Sequence, residues 1–148
     1  MITRRFFIFT TMKLHQYILG ILFIGLLSMK GEDSNINFFD GSYAEALKHA
    51  KELKKPLFID FYADWCTPCK QMEKYAFNDP EVYSHINNNF VAVKVNVEYF
   101  EGMDIADEFH IKSYPTLLIL DKRGREKSRV TGYQTTEEVL KFILPHHK

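Results

Sequence analysis

The sequence has only two cysteines, no net charge and no apolar run long enough to cross a bilayer, and each shortage closes off a class of protein. A structural zinc site takes four ligands, and Cys66 and Cys69 have no second cysteine pair to complete one. The six histidines (His15, His49, His85, His110, His146 and His147) are scattered or lie in the tail. The longest uncharged apolar run, Tyr17 to Leu27, falls well short of the roughly 20 residues that span a membrane. No cysteine lies directly after that run, so a lipoprotein anchor has no attachment point there. The neutral total hides an uneven distribution. Residues 1–30 hold four of the 19 basic residues (Arg4, Arg5, Lys13 and Lys30) and no acid, which leaves 15 basic against 19 acidic residues beyond them, a formal −4. A mildly acidic domain argues against binding a phosphate backbone, and no nucleic-acid motif appears.

What is present divides at about residue 30. Lys13, the apolar run and the polar residues after it read as a targeting segment, a signal peptide or an N-terminal membrane anchor over 1–30. No small-x-small cleavage site stands out; Ser28 and Gly31 are the best candidates, and Met12 offers a second start. Either version exports the domain to a compartment where disulfides persist. Residues 31–41 read as a linker with an edge strand at Ile36–Phe39, closed by the turn signal Asp40-Gly41. The remainder, 42–148, suits one domain with a hydrophobic core.

That domain is organised around Pro56-Leu57-Phe58-Ile59-Asp60-Phe61-Tyr62-Ala63-Asp64-Trp65-Cys66-Thr67-Pro68-Cys69-Lys70. Leu57 to Tyr62 reads as a buried strand with one anomaly, Asp60. A carboxylate in so apolar a run needs a partner or a task. Thr67-Pro68 opens a helix, since proline is tolerated in the first turn where its missing N–H has no partner. Cys66 then sits at the helix N-terminus, where partial positive charge favours thiolate, and Cys69 lies one turn further on. A purely structural bridge over three residues would constrain the unfolded chain little. Strand, tryptophan, C-x-x-C and helix together point to a reversible redox pair.

Around this stretch the pattern predicts a helix from Ser42 to about Lys54, with Ala44, Leu47, Ala50 and Leu53 along one stripe. The active-site helix runs to Tyr75 or Ala76, and a second, capped by Asp79-Pro80, ends near Asn87 before an Asn88-Asn89 turn. A strand follows over Phe90–Val97, then a helix over Met103–His110. Thr116–Leu120 and Glu126–Thr131 form a hairpin closed by Asp121–Gly124. A last helix, capped at Thr135 or Thr136, stops at Leu144 before Pro145. The expected order is β-α-β-α-α-β-α-β-β-α.

The segment Phe-Ile-Asp-Phe-Tyr-Ala-Asp-Trp-Cys-Thr-Pro-Cys-Lys resembles the active-site segment of the thioredoxin superfamily. Within it, Tyr-Ala-Asp-Trp-Cys-x-x-Cys-Lys, Glu73-Lys74-Tyr75, Phe77 and Asp79-Pro80-Glu81-Val82 resemble the C-terminal thioredoxin-like domain of the DsbD family. The likeness extends over about Ser42 to Leu144 and lacks that family's membrane-spanning part. It implies an α/β thioredoxin fold, a central mixed sheet with helices on both faces. It also implies a cis-proline at Pro115, opposite the cysteines, and matches Gly132 to a family glycine.

The chemistry expected is thiol–disulfide exchange, with no cofactor beyond the Cys66–Cys69 pair. Cys66, at the exposed helix end, is the candidate nucleophile, and Cys69, expected to be the more buried, resolves the mixed disulfide. Asp60 is the candidate acceptor for the Cys69 proton, since burial raises a carboxyl pKa. The resemblance supports that role. Glu73, four residues beyond Cys69, is a second candidate, and Lys94 is expected to hold the Asp60 charge. Trp65, Thr67, Pro68, Tyr114 and Pro115 are the candidate substrate-binding residues, with Tyr62, Tyr99 and Phe100 as extensions of that surface.

Strongly oxidising relatives carry a histidine between the cysteines. Thr67-Pro68 carries no such charge, which favours a reductant poised on the order of −270 to −200 mV. The expected partners are disulfide-containing proteins and a membrane thiol donor of electrons, with the chain itself a monomer. Two other readings stand beside this one: an oxidase or isomerase on the same scaffold, and a binding or chaperone-like module with incidental cysteines.

Overall fold

The computed structural model describes residues 35–146, so the leader expected over 1–30 and the start of the linker lie outside the described residues. Four strands make one mixed sheet in the order β2-β1-β3-β4: β1 Leu57–Tyr62, β2 Val91–Asn96, β3 Thr116–Leu120 and β4 Glu126–Thr131. β1 runs parallel to β2 and antiparallel to β3, and β3 pairs antiparallel with β4. Helices α1 Tyr43–Leu53, α2 Thr67–Tyr75, α3 Pro80–Asn89, α4 Phe100–Glu108 and α5 Thr136–Ile143 cover both faces.

The central strands are near-continuous apolar runs because both faces of the sheet are covered. Successive side chains alternate between the faces. Leu57, Ile59 and Phe61 join Val93, Val95, Leu118 and Leu120 against Ala46, Ala50, Ile105 and Phe109 of the α1 and α4 layer. Phe58 joins Ala92, Leu117 and Ile119 against Met72, Val82, Ile86, Val139 and Ile143 of the α2, α3 and α5 layer. Phe58 is fully buried and meets Phe77 and Phe90 edge-on, 5.9 and 6.3 Å between centroids. A ring so placed is worth about 3–5 kcal/mol against alanine.

Five local expectations are corrected. Ile36–Phe39 is not a strand: Phe38 makes a single parallel bridge to Ala92, and Asp40-Gly41 then turns the chain into the Ser42 cap of α1. The Asn87 side chain holds this segment instead, accepting from Asn37 N–H and donating to the Asn35 carbonyl, both at 2.9 Å. In α1 the buried stripe is Ala46 and Ala50, flanked by half-buried Tyr43 and Leu47, while Ala44 and Leu53 face solvent. Asn88 and Asn89 belong to α3 rather than to a turn. Their amides donate to the Ser84 hydroxyl and the His85 carbonyl one turn back, 3.4 and 2.8 Å away.

The fourth helix runs Phe100–Glu108, earlier at both ends than its sequence implies. It starts at Tyr99 without a side-chain cap, so no capping residue announces it. Beyond Ile143 the chain tightens into a 3₁₀ turn, Leu144–His146, that accommodates Pro145.

Candidate functional site

β1 delivers its C-terminal end, through Ala63-Asp64-Trp65, to the N-terminus of α2. Cys66 is the N-cap residue, with extended backbone, and its Sγ accepts the Cys69 N–H at 3.2 Å. Pro68 sits in the first turn, where it breaks no helical hydrogen bond. One turn of helix separates the cysteines, 5.3 Å between Cα atoms, and they are joined as a disulfide. An anionic sulfur at Cys66 would face a helix N-terminus that already donates to it.

The expected contrast in exposure between the two cysteines is not found. Cys66 is 2% exposed and Cys69 6%. In the closed disulfide each sulfur covers the other, so accessibility does not tell nucleophile from resolving thiol. Of the two sulfurs, that of Cys66 takes the helix-end N–H.

The Tyr114–Pro115 peptide bond is cis. The Trp65 ring meets the Tyr114 ring edge-on at 6.2 Å, which joins the residue before Cys66 to the residue before Pro115. Pro115 is buried and its carbonyl accepts the Gly132 N–H at 2.8 Å, where Gly132 has φ 89°. A left-handed backbone of that kind favours glycine. Thr116 fixes the same loop by donating to the Ser113 carbonyl at 2.8 Å. Trp65 itself is 67% exposed, so it forms an apolar rim beside the disulfide more than a lid over it. Thr67 is exposed and Pro68 half-buried.

Asp60 lies in mid-strand, opposite Lys94 of β2 and Leu117 of β3, so these three side chains share the face that α2 covers. It is 3% exposed and its Oδ1 has no hydrogen-bond partner. Burial, the largest cause, pushes its pKa up to about 7; Lys94 pulls it down and Glu73 pushes it up.

Lys94 is not bonded to the Asp60 carboxyl as expected. Its ammonium pairs with Glu73 Oε2 at 2.9 Å and lies 4.5 Å from the Tyr62 ring and 5.7 Å from the Phe38 ring. The half-exposed Glu73 competes for it from α2, and the two rings favour a cation between them. Lys94 therefore acts on Asp60 through its field.

A second group of polar residues was not foreseen. Asn96 donates to Asp64 Oδ1 at 3.0 Å, Glu98 Oε2 accepts the Asp64 N–H, and Glu98 N–H donates to Asn96 Oδ1 at 3.0 Å. This web ties the loop before Cys66 to the end of β2. Asp64 lies more than thirty residues from the other two in sequence, with no spacing that links them. Phe38, from the segment before α1, is likewise a new neighbour of Lys94. Among the described residues, no group of three His, Cys, Asp or Glu side chains converges on a metal-ion position.

The chain matches the thioredoxin-like domain family over residues 43–145. It is 36% identical over 110 residues to the thiol:disulfide interchange protein DsbD of Shigella boydii serotype 4, a match over 70% of this chain and 19% of that protein. The chain thus spans about a fifth of the length of that curated relative. Among solved structures, a candidate disulphide-isomerase from Bacteroides thetaiotaomicron is similar with a TM-score of 0.66 and 35% identity, over 75% of this chain and 93% of the other. The DsbD C-terminal domain of Neisseria meningitidis, in its oxidised form, is similar with a TM-score of 0.60 and 25% identity, over 70% and 91% of the two chains.

Proposed function

We propose that this chain, which belongs to the thioredoxin-like family, is a thiol:disulfide oxidoreductase of the C-x-x-C kind and works as an exported reductase of protein disulfides. The observation that carries this reading is the Cys66–Cys69 pair at the start of α2, joined through Trp65 and Tyr114 to the cis-proline loop.

In the reduced protein the Cys66 thiolate attacks one sulfur of a substrate disulfide, and the other substrate sulfur leaves as a thiolate. Cys69 then gives its proton to Asp60 and attacks Cys66 Sγ. The second substrate thiolate leaves, and Cys66 and Cys69 are joined. Two electrons have passed from the dithiol to the substrate, and a reduced dithiol donor must return them. A donor at the membrane, of the DsbD kind, suits an exported reductant.

Asp60 is suited to its step because its pKa lies near neutrality, where a carboxylate can both take and release a proton. Glu73 and Lys94 set that affinity by charge, and Trp65, Thr67, Pro68, Tyr114 and Pro115 form the surface that meets the substrate. The leader over 1–30 supplies export, as a signal peptide or an anchor.

The reading is tested by reduction of insulin with dithiothreitol as donor. Wild type turns over, Cys66→Ser is inactive, and Cys69→Ser accumulates a mixed disulfide that gel electrophoresis resolves without reductant. A wild type that does not speed insulin reduction, together with a cellular phenotype that survives Cys66→Ser, would leave only the binding-module reading. The resemblance to the Bacteroides structure favours an isomerase as the second reading. A reduction potential well above about −180 mV would select oxidase or isomerase over reductase.

A further inference from the structure

The loop that carries Pro115 is held from β4, an edge strand whose side chains are largely exposed. Thr116 and Thr131 are direct partners in the β3–β4 register, and their hydroxyl oxygens lie 3.2 Å apart. Thr116 is buried, whereas Thr131 is exposed. The Thr116 hydroxyl also lies 2.8 Å from the Ser113 carbonyl. A hydroxyl has one proton, and a carbonyl can only accept. Thr116 therefore donates to Ser113 and accepts from Thr131. The two side chains form a relay, Thr131 to Thr116 to Ser113, that runs from the exposed edge of the sheet into the loop.

The relay acts on the next residue. In a planar trans peptide the carbonyl and the N–H point in opposite directions, and the Ser113–Tyr114 bond is of this kind. Holding the Ser113 carbonyl against Thr116 thus turns the Tyr114 N–H away from Thr116. On the other side of Tyr114, the Pro115 carbonyl is taken by the Gly132 N–H at 2.8 Å, and proline has no N–H to give. Both neighbouring carbonyls are occupied. The N–H and carbonyl of Tyr114 itself make no hydrogen bond to another described residue. Its ring meets Trp65, so these open backbone groups lie beside the disulfide, where a polypeptide can pair with them.

We propose that Thr116 and Thr131 are positioning residues for protein substrates. Their relay sets the direction of the Tyr114 N–H, which donates to a backbone carbonyl of the segment flanking the substrate disulfide. Neither threonine takes part in the exchange of sulfurs; both act through Tyr114. A small disulfide without a peptide backbone offers no such carbonyl, so the relay favours polypeptide disulfides over small ones. The inference rests on the reductase reading, because it takes a polypeptide disulfide as the substrate of Cys66.

The test compares single-turnover rate constants of the pre-reduced full-length chain with insulin and with dithiobis(nitrobenzoic acid), a small aromatic disulfide. Thr116→Val keeps the branched shape and removes the hydroxyl, and it should lower the ratio of the insulin rate to the small-disulfide rate about tenfold. Thr116→Ser, which keeps the hydroxyl, should restore the ratio to within about twofold of wild type. Thr131→Val leaves Thr116 its proton but removes the donor behind it, so the ratio should fall only about threefold. Valine suits an exposed edge-strand position, so Thr131→Val decides alone should Thr116→Val fail to fold. Damage to the cysteine pair would slow both reactions and leave their ratio where it was. An unchanged ratio in either valine variant, or a serine variant no better than valine, would overturn the relay while leaving the reductase in place. A wild type that reduces neither disulfide would remove the reductase reading and the relay with it.

Discussion

Asp60 and Asp121 are the same side chain in opposite settings. Asp121 follows β3 at the hairpin turn and accepts hydrogen bonds from the Arg125 side chain at 2.7 Å and from the N–H groups of Arg123 and Arg125 at 2.8 and 3.1 Å. The Arg125 side-chain bond, first among these causes, brings its pKa down to about 2. Asp60 sits in the middle of β1 with one oxygen unpartnered, and burial carries its pKa up to about 7. At the hairpin the charge is welcomed and helps hold a turn. In the strand the charge is resisted, which leaves a proton that can move near neutral pH. Water access and hydrogen-bond donors, not residue type, separate a structural aspartate from a reactive one.

The largest effect expected of this contrast is in Asp60→Asn. Below pH 4 Asp60 is protonated in both folded and unfolded chains and contributes nothing to their difference. As pH rises from about 4 to about 7 the unfolded chain ionises while the folded one does not, so wild type loses stability; above that range the loss is constant. The asparagine variant escapes it. Denaturant midpoints should coincide near pH 4 and diverge in favour of the variant to as much as about 4 kcal/mol by pH 8. A gap independent of pH would break the comparison. The same variant should resolve its mixed disulfide about a hundredfold more slowly near pH 7, a deficit that narrows at higher pH as Cys69 ionises unaided.

The strand bearing Asp60 is plain in the sequence because six residues without a turn former, interrupted by one acid, leave few other readings. Cys66 as a helix cap is equally plain, since Thr67-Pro68 marks a first turn. What surrounds Asp60 is not. The Lys94–Glu73 pair joins α2 to β2 across the fold, and Asn96, Glu98 and Asp64 meet only once β1 and β2 are paired in register. Such polar contacts have no period to detect. Asn88 and Asn89 misled for a related reason: asparagine amides compete for backbone groups and favour turns, yet here they bond back into their own helix. Ile36–Phe39 has the composition of a strand, but Asp40-Gly41 and the Ser42 cap draw it off after one bridge.

Lys94 and Glu73 sharpen the contrast by moving Asp60 in opposite directions. Lys94→Met removes the cation that pulls the pKa down, so Asp60 should titrate higher still. Glu73→Gln removes the anion that pushes it up, so Asp60 should titrate lower. Both shifts should be smaller than the displacement from burial, which is the leading cause. Carbon-13 NMR of the Asp60 carboxyl would read them directly. Shifts of one sign in both variants would mean that packing, and not charge, governs the group.

The smallest effect should come from Asp121→Asn. The amide keeps an oxygen for the Arg123 and Arg125 N–H groups but loses the charge that faces the Arg125 guanidinium. The Arg125 side chain is 70% exposed, so water and salt screen the pair, and the expected cost is within about 0.5 kcal/mol. Its sign with pH is opposite to that of Asp60. A lowered carboxyl pKa contributes stability above pH 4 that disappears as pH falls through about 2. The melting difference between Asp121→Asn and wild type should therefore be small at pH 6 in low salt, close to zero at pH 2, and reduced by added salt. A cost at pH 6 that rivals the gain from Asp60→Asn would mean that water access does not separate the two aspartates.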